Sequence, residues 1–261
     1  MSMFTLSIVS HGHKSHIELL FDDLLKVKNE HIDIILTINI DEDLPNNINN
    51  LPFSVKIIRN ETPKGFAANH NAAFAVSQGT IFVILNPDIR LIDNPFSAIA
   101  AYLEDYPETV CATLVVNQFG AFEDSARLFP TPFFLVKKLF FKIFNIKLKS
   151  DTFPENEQAL FPDWIAGMFM AVPRETYQQL GGLSEQYHMY YEDVNFCVRA
   201  QLAGQSIAVI KSAKVIHEAQ RDSHRKIQHF LWHLQSILKF FMSKPYLQLK
   251  LARLRGYTNK N

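Results

Sequence analysis

Ile81-Phe82-Val83-Ile84-Leu85 runs straight into Asn86-Pro87-Asp88, and the reading of that junction decides the fold. Five consecutive apolar residues rich in β-branched types specify a strand buried on both faces, as in parallel sheets. Pro87 has no amide proton for a sheet ladder and fixes its own φ, so the strand must end there. Asp88 is then held on a stiffened turn at the carboxyl edge of a strand, where open α/β sheets bind ligands. A carboxylate so placed suits a hard cation carrying phosphates. It equally suits a cap on the following turn.

Upstream, residues 4–10, 34–39 and 55–59 read as strands, and Ile17, Leu20, Phe21, Leu24 and Val27 recur at helical spacing after the first. An Ala-rich helix is predicted over 67–77, with Asn69, His70 and Asn71 in its first turn. Strands alternating with helices argue a parallel sheet with right-handed crossovers. Ser10, His11, Asn39, the Lys64-Gly65 loop, Asn69 and Asp88 then converge on one sheet edge. Neither a phosphate-loop nor a dinucleotide glycine motif occurs, which removes the best support for an ATPase or a dehydrogenase. His11 and His13 lie on a turn, where histidines are more often solvated than metal-bound.

A chain of 261 residues makes one large α/β domain or two small ones. Lys+Arg and Asp+Glu both number 26, so no global field recruits nucleic acid and any binding site must be local. Cys111 and Cys197 sit among apolar neighbours and read as reduced core residues of a cytosolic protein. No basic n-region precedes the first strand, so no signal peptide is expected, and no apolar run approaches the ~20 residues of a spanning helix. Residues 133–149 stand apart, with five lysines and no acid. Wound as a helix, Lys138, Lys142, Asn145 and Lys149 share a narrow face opposite a broad apolar one. That pattern fits a membrane interface, and also a helix packed on its own domain with a lysine rim.

In the second half, residues 161–173 read as a loop feeding a buried strand, with Gly167 permitting close backbone approach. A short helix over 176–183 is followed by Glu192 and Asp193, which open an apolar helix ending at Gly204. Acids there complement a helix dipole, so the pair has a structural explanation as well as a catalytic one. Residues 207–210 and 213–216 read as two short strands, the second delivering His217. From Ile227 an apolar stripe repeats at helical spacing, and residues 244–255 are basic.

Gly65-Phe66-Ala67-Ala68-Asn69-His70-Asn71, Leu85-Asn86-Pro87-Asp88, Trp164-x-x-Gly167, Gly181-Gly182 and Tyr190-Tyr191-Glu192-Asp193 with Arg199 resemble the family 2 glycosyltransferases of the GT-A fold. The resemblance covers roughly residues 4–242. It implies that Asp88, standing where other members end an Asp-x-Asp motif, binds Mg²⁺ or Mn²⁺ on a nucleotide-sugar diphosphate, with His217 completing the metal shell. It implies Asp193 as the base toward the acceptor hydroxyl and Glu192 as its support. A second carboxylate and partial desolvation would raise the base's pKa toward neutrality. Ser10, His11, Asn39, Lys64, Gly65, Phe66, Asn69, Asn86 and Asp88 then form the donor side. Trp164, Gly167 and Tyr191 form the acceptor side, while Ser223 and Arg225 hold the departing diphosphate. Many members end the second strand in Asp-Asn where this chain has Thr37-Ile38-Asn39. The Asn39 amide can pair with a pyrimidine edge without dictating which pyrimidine.

The expected fold is α/β and GT-A-like (Rossmann-like): a mostly parallel central sheet flanked by helices, with a C-terminal helical extension. Residues 1–224 form the glycosyltransferase domain, 1–116 its nucleotide-sugar half and 117–224 its acceptor half, and 225–261 the extension. The His217…Arg221-Asp222-Ser223-His224-Arg225 and His233-Leu234-Gln235-Ser236 segments look like bacterial O-antigen rhamnosyltransferases. That implies dTDP-rhamnose as donor and a polyprenyl-diphosphate-linked saccharide as acceptor. It also implies an inverting displacement by a peripheral enzyme on the inner face of the cytoplasmic membrane, contacting it through 133–149 and the C-terminus. The rivals are a UDP-sugar transferase, a non-catalytic membrane-associated nucleotide-sugar-binding subunit and a nucleotidyltransferase. Homo-oligomerisation is left open.

Overall fold

Ile81–Leu85 (β4) is wholly buried, as its unbroken apolar run requires. It pairs in parallel with Phe4–Ser10 (β1) and antiparallel with Phe169–Pro173 (β10). The computed structural model describes residues 3–27, 31–123, 125–133, 140–141, 151–218 and 226–255. Most of the basic segment 133–149 lies outside these residues, as do Ser223 and Arg225. Among the described residues the main sheet has nine strands. Their order is Ser54–Arg59 (β3), Ile32–Ile38 (β2), β1, β4, β10, Thr109–Val116 (β6), Ser206–His217 (β11) and Ile89–Leu91 (β5), with Ala159–Leu160 (β8) also on β11. The first four by sequence run parallel, and so do β6 and β11; β10, β5 and β8 are the antiparallel members. The sheet is therefore mostly parallel, as expected.

Side chains of β4 alternate between two cores. Ile81, Val83 and Leu85 join one with Lys14–Leu24 (α1) and Pro95–Asp105 (α3). Phe82 and Ile84 join the other, with Phe66–Val76 (α2), Arg174–Gln179 (α4) and Glu192–Leu202 (α5). Phe82 there meets Phe74 and Tyr177 with ring centroids 5.2 and 4.9 Å apart. Burying such a ring contributes roughly 2 kcal/mol. The same core takes in Phe240 of Lys226–Met242 (α6), and Tyr246 and Leu249 of Lys244–Leu254 (α7).

The two short strands expected at 207–210 and 213–216 are one strand of twelve residues, β11. The polar break at Lys211-Ser212 is a bulge, seen as a register shift between Ile210 and Lys214, rather than a turn. The short helix expected over 176–183 instead spans Arg174–Gln179.

After Pro87 the chain pairs again as β5, which is tied to α1 through Asp23. This carboxylate accepts from Arg90 Nε at 2.6 Å and Nη2 at 2.9 Å, and from Leu91 N at 3.2 Å. Burial alone would raise the Asp23 pKa, but the Arg90 and Lys26 contacts outweigh it and hold the group below the usual carboxylate range. Asp23→Asn is expected to lower the urea-unfolding free energy by roughly 2–3 kcal/mol. This is less than for a wholly buried pair, because 25% of the Arg90 side chain is exposed. With a lowered folded pKa, the stabilisation is complete above the ordinary carboxylate range and is lost as pH falls through the folded value. The variant should therefore show a flatter stability profile below about pH 4.

Candidate active site

Register brings the first part of the site together. β11 pairs with β5 so that His217 stands opposite Ile89, and Glu218 N donates to Asp88 O at 2.9 Å. His217 Nε2 then lies 3.2 Å from Asp88 Oδ2, while Nδ1 lies 2.6 Å from Glu123 Oε2. Burial disfavours the imidazolium, but the two carboxylates outweigh it and raise the His217 pKa to about 9. Asp88 Oδ1 is buried and has no hydrogen-bond partner. The sequence alone does not show that Glu123 meets His217, which is 94 residues away. Its own backbone N donates to Val115 O at 3.0 Å, which fixes the loop on β6.

On the opposite side of β4, the donor-side polar groups form a lattice. Asn39 Oδ1 accepts from Lys64 N and from Asn60 Nδ2, both at 2.8 Å. Its Nδ2 donates to Lys64 O at 3.0 Å and lies 3.1 Å from His11 Nδ1. Asn69 completes the clamp, donating to Lys64 O at 3.1 Å and accepting from Asn60 at 2.7 Å. Buried Ser10 accepts from His13 N at 3.3 Å through its hydroxyl. Asn39 thus holds the Lys64 loop to the end of β2. Both ends of its amide are taken up within the protein. Beside it, Asn39, Asp41, Arg59, Glu61 and Pro63 line a cleft of about 340 Å³.

The third part depends on two glycines. Gly65 precedes α2, and a Cβ there would lie 2.8 Å from the backbone oxygen of His188. A Cβ on Gly167 would lie 3.0 Å from the Phe66 ring. Gly167 N donates to Asp193 Oδ2 at 3.1 Å, and Val194 N to Oδ1 at 2.7 Å. One residue beyond Gly167, Met168 O accepts from Asn86 N at 2.9 Å. Asp88 and Asp193 are therefore anchored to the same short segment, at the sheet edge where β4 ends.

Glu192 and Asp193 open α5 behind two strained residues. Tyr190 and Tyr191 have φ of +71° and +70°, a conformation costing about 1–3 kcal/mol for each non-glycine residue. Contacts from α6 hold them there. The Tyr190 hydroxyl lies 2.7 Å from His229 Nδ1, and the Tyr191 ring packs 5.2 Å from Phe240. Ser236 Oγ donates to Met189 O and Lys239 Nζ to Gln186 O, both at 2.9 Å. Burial raises the pKa of both carboxyls. Asp193's charge adds to the effect on Glu192, and the Val194 and Gly167 amides partly offset it on Asp193. Glu192 is the deeper of the two, with Oε2 lacking a hydrogen-bond partner; Asp193 is half-buried.

Of the acceptor-side residues, Trp164 sits in Trp164–Ile165 (β9), paired with Ala126–Arg127 (β7), and its indole N–H donates to Leu128 O at 3.1 Å. Tyr191 faces inward and is 7% exposed, so it supports the turn from beneath. Arg199 is likewise structural: its guanidinium donates to the carbonyls of Leu180 and Gly182. A second cleft, of about 510 Å³, opens between Gly65, Glu185, His188, Trp232, Gln235 and Lys239.

Residues 6–169 match the model of glycosyl transferase family 2. The chain belongs to that family. Rhamnosyltransferase WbbL of Escherichia coli (strain K12) is 28% identical to this glycosyltransferase over 271 residues, covering 99% of this chain and 96% of WbbL. The N-acetylglucosaminyl-diphospho-decaprenol L-rhamnosyltransferase of Mycobacterium tuberculosis is 32% identical over 82 residues, 31% of this chain and 27% of that protein. Among solved structures, GalNAc-T7 with UDP, GalNAc and Mn²⁺ superposes with TM-score 0.65 at 14% identity. The match covers 97% of this chain and 54% of GalNAc-T7, so the glycosyltransferase spans about half that length. The Pyrobaculum calidifontis mannosyltransferase PcManGT, in complex with GDP-Man and Mn²⁺, gives TM-score 0.61 at 15% identity over 96% of this chain and 69% of its own. These likenesses establish the GT-A fold.

Gly65→Ala is expected to cost roughly 1–3 kcal/mol in urea unfolding, because the carbonyl its methyl would meet is backbone and must move. Gly167→Ala meets only the end of the Phe66 ring and should cost less. The reverse order would show that the His188 approach is not a tight one.

Proposed function

We propose that this glycosyltransferase moves L-rhamnose from dTDP-rhamnose to a polyprenyl-diphosphate-linked saccharide, with inversion, in bacterial surface polysaccharide synthesis. The observation that carries the substrate assignment is the end-to-end similarity to a rhamnosyltransferase, 99% of one chain against 96% of the other. The mycobacterial relative's name supports a lipid-diphosphate acceptor. A UDP-sugar donor is the second reading, because the Asn39 amide, bonded to the Lys64 backbone, does not distinguish uracil from thymine.

Asp88 and His217 suit a divalent cation such as Mg²⁺ or Mn²⁺. Asp88 Oδ1 is a buried carboxylate oxygen without a partner, and His217 Nε2 faces the same group. Among the described residues no three His, Cys, Asp or Glu groups form a ready metal cage. When bound, the cation neutralises charge on the departing diphosphate. Glu123 fixes the His217 ring by accepting from Nδ1, leaving Nε2 for the metal. Asn39, Asn60 and Asn69 hold the Lys64 loop beside the cleft that would take the base. Ser223 and Arg225, outside the described residues, are assigned to the diphosphate.

Asp193 is held by two backbone N–H groups, so its carboxylate is oriented before the acceptor arrives. As the acceptor oxygen attacks the anomeric carbon, its proton passes to Asp193 and the bond to the diphosphate oxygen breaks. Attack from the face opposite the leaving group inverts the centre. Glu192, buried alongside, supports the base. A lipid-linked acceptor places the reaction at the cytoplasmic face of the membrane. Among the described residues no helix is long and apolar enough to cross it.

Asp193→Asn should keep the thermal stabilisation that dTDP-rhamnose with Mn²⁺ confers, while transfer falls by about 10²–10⁴-fold. Undiminished turnover would refute the base. A raised pKa means the basic form is lost already above the ordinary aspartate range, so kcat/KM should fall with acid at a pH above 4. A binding subunit would show stabilisation and no transfer in the wild type.

Glu123→Ala is expected to weaken Mn²⁺ binding about 10–100-fold by titration calorimetry, with Glu123→Gln retaining most of it because its amide oxygen still accepts from Nδ1. Equal losses in both variants would make Glu123 a direct ligand instead.

A further inference from the structure

Among the described residues, each of the two C-terminal helices carries an exposed apolar stripe. On α6, Leu231, Leu234, Leu238 and Met242 are exposed and fall within one narrow arc, opposite buried Ser236 and Phe240. On α7, Leu247, Leu251 and Leu254 do the same, turned away from buried Tyr246 and Leu249. Arg253 pairs with Asp163 at 2.6 Å and lies over the Phe129 ring, which pins α7 with its leucines outward. At 3.6 residues per turn, exposed Lys250 flanks that leucine stripe on one side, and exposed Lys244 and Arg255 on the other.

Charge indicates what this face meets. All 26 Asp and Glu residues precede residue 223, whereas eight of the 26 Lys and Arg follow it. A chain with no net charge therefore ends in a segment without a single acid. Leucines edged by Lys and Arg match the boundary between acyl chains and anionic head groups. A second copy of the same face would bring cations against cations.

We propose that α6 and α7 dock the enzyme on an anionic lipid surface, leucines in the acyl boundary and Lys244, Lys250 and Arg255 at the head groups. This surface deepens the lipid-linked-acceptor reading and rests on it only for its purpose. Another face of α6 holds residues 186–191, so the helix that would lie on the membrane also supports the turn bearing Asp193.

The test is co-sedimentation of the full chain with vesicles of phosphatidylglycerol and phosphatidylcholine, against phosphatidylcholine alone, at low and high salt. Binding is expected only with the anionic lipid and should weaken with salt. Two triple variants, Leu247→Gln/Leu251→Gln/Leu254→Gln and Lys244→Gln/Lys250→Gln/Arg255→Gln, should each reduce it by about tenfold or more. No binding by the wild type, or wild-type binding by both variants, overturns the proposal; the latter moves the lipid contact elsewhere in the chain. A leucine variant that binds vesicles normally but changes from dimer to monomer identifies a self-association face and also overturns it. Thermal stabilisation by dTDP-rhamnose is read on the same samples. Its absence from the wild type would sink the donor assignment and leave the vesicle result standing.

Discussion

The Gly167 N–H donates to Asp193 Oδ2 at 3.1 Å, and the geometry of both halves of the site depends on that contact. Gly167 lies two residues before β10, whose register against β4 is set by Phe169 opposite Leu85. The position of Asp193 relative to the Asn86-Pro87-Asp88 turn is thus a consequence of sheet pairing. Phe66, at the start of the donor-side helix, packs on the same glycine. A side chain at 167 would press on the Phe66 ring, and so on the loop that the Asn39 clamp holds. Close packing transmits such shifts because a protein interior has little free space to absorb them.

That arrangement is held against local backbone preference. Two successive tyrosines with positive φ aim α5 so that its first turn presents Glu192 and Asp193. The strain is offset by α6, which contacts residues 186–191 at Gln186, Met189, Tyr190 and Tyr191. The position of Asp193 therefore depends on a helix that follows it by more than thirty residues in sequence. Docking of that helix on a membrane, as proposed above, would bring support of Asp193 and contact with lipid onto one element.

Electrostatics in the site are local, as the balanced net charge requires. The Asp88 and Glu123 carboxylates outweigh burial and raise the His217 pKa to about 9 when only they face it. Deprotonation of Nε2 and coordination of a divalent cation would exchange one positive charge beside the carboxylates for two.

Much of this was legible in the sequence wherever the information is local. The apolar run into Asn86-Pro87-Asp88, the strand-helix alternation before it, and the acids opening a helix at Glu192 follow from periodicity, proline chemistry and helix-end preferences. Family resemblance then singled out His217 and Asp193. Local pattern did not separate a bulge from a turn at Lys211-Ser212, since both interrupt the apolar alternation. It placed Asn39 at a strand end without showing that Lys64, Asn60 and His11 take up its amide. Nor did it reveal the contact of Glu123 with His217, which spans 94 residues. By itself the sequence determined which segments are strands, where they stop and which carboxylates stand at their ends, because those depend on neighbours along the chain. Only the tertiary structure decided which of these ends meet, because strand register and the clearance left by Gly65 and Gly167 depend on neighbours in space.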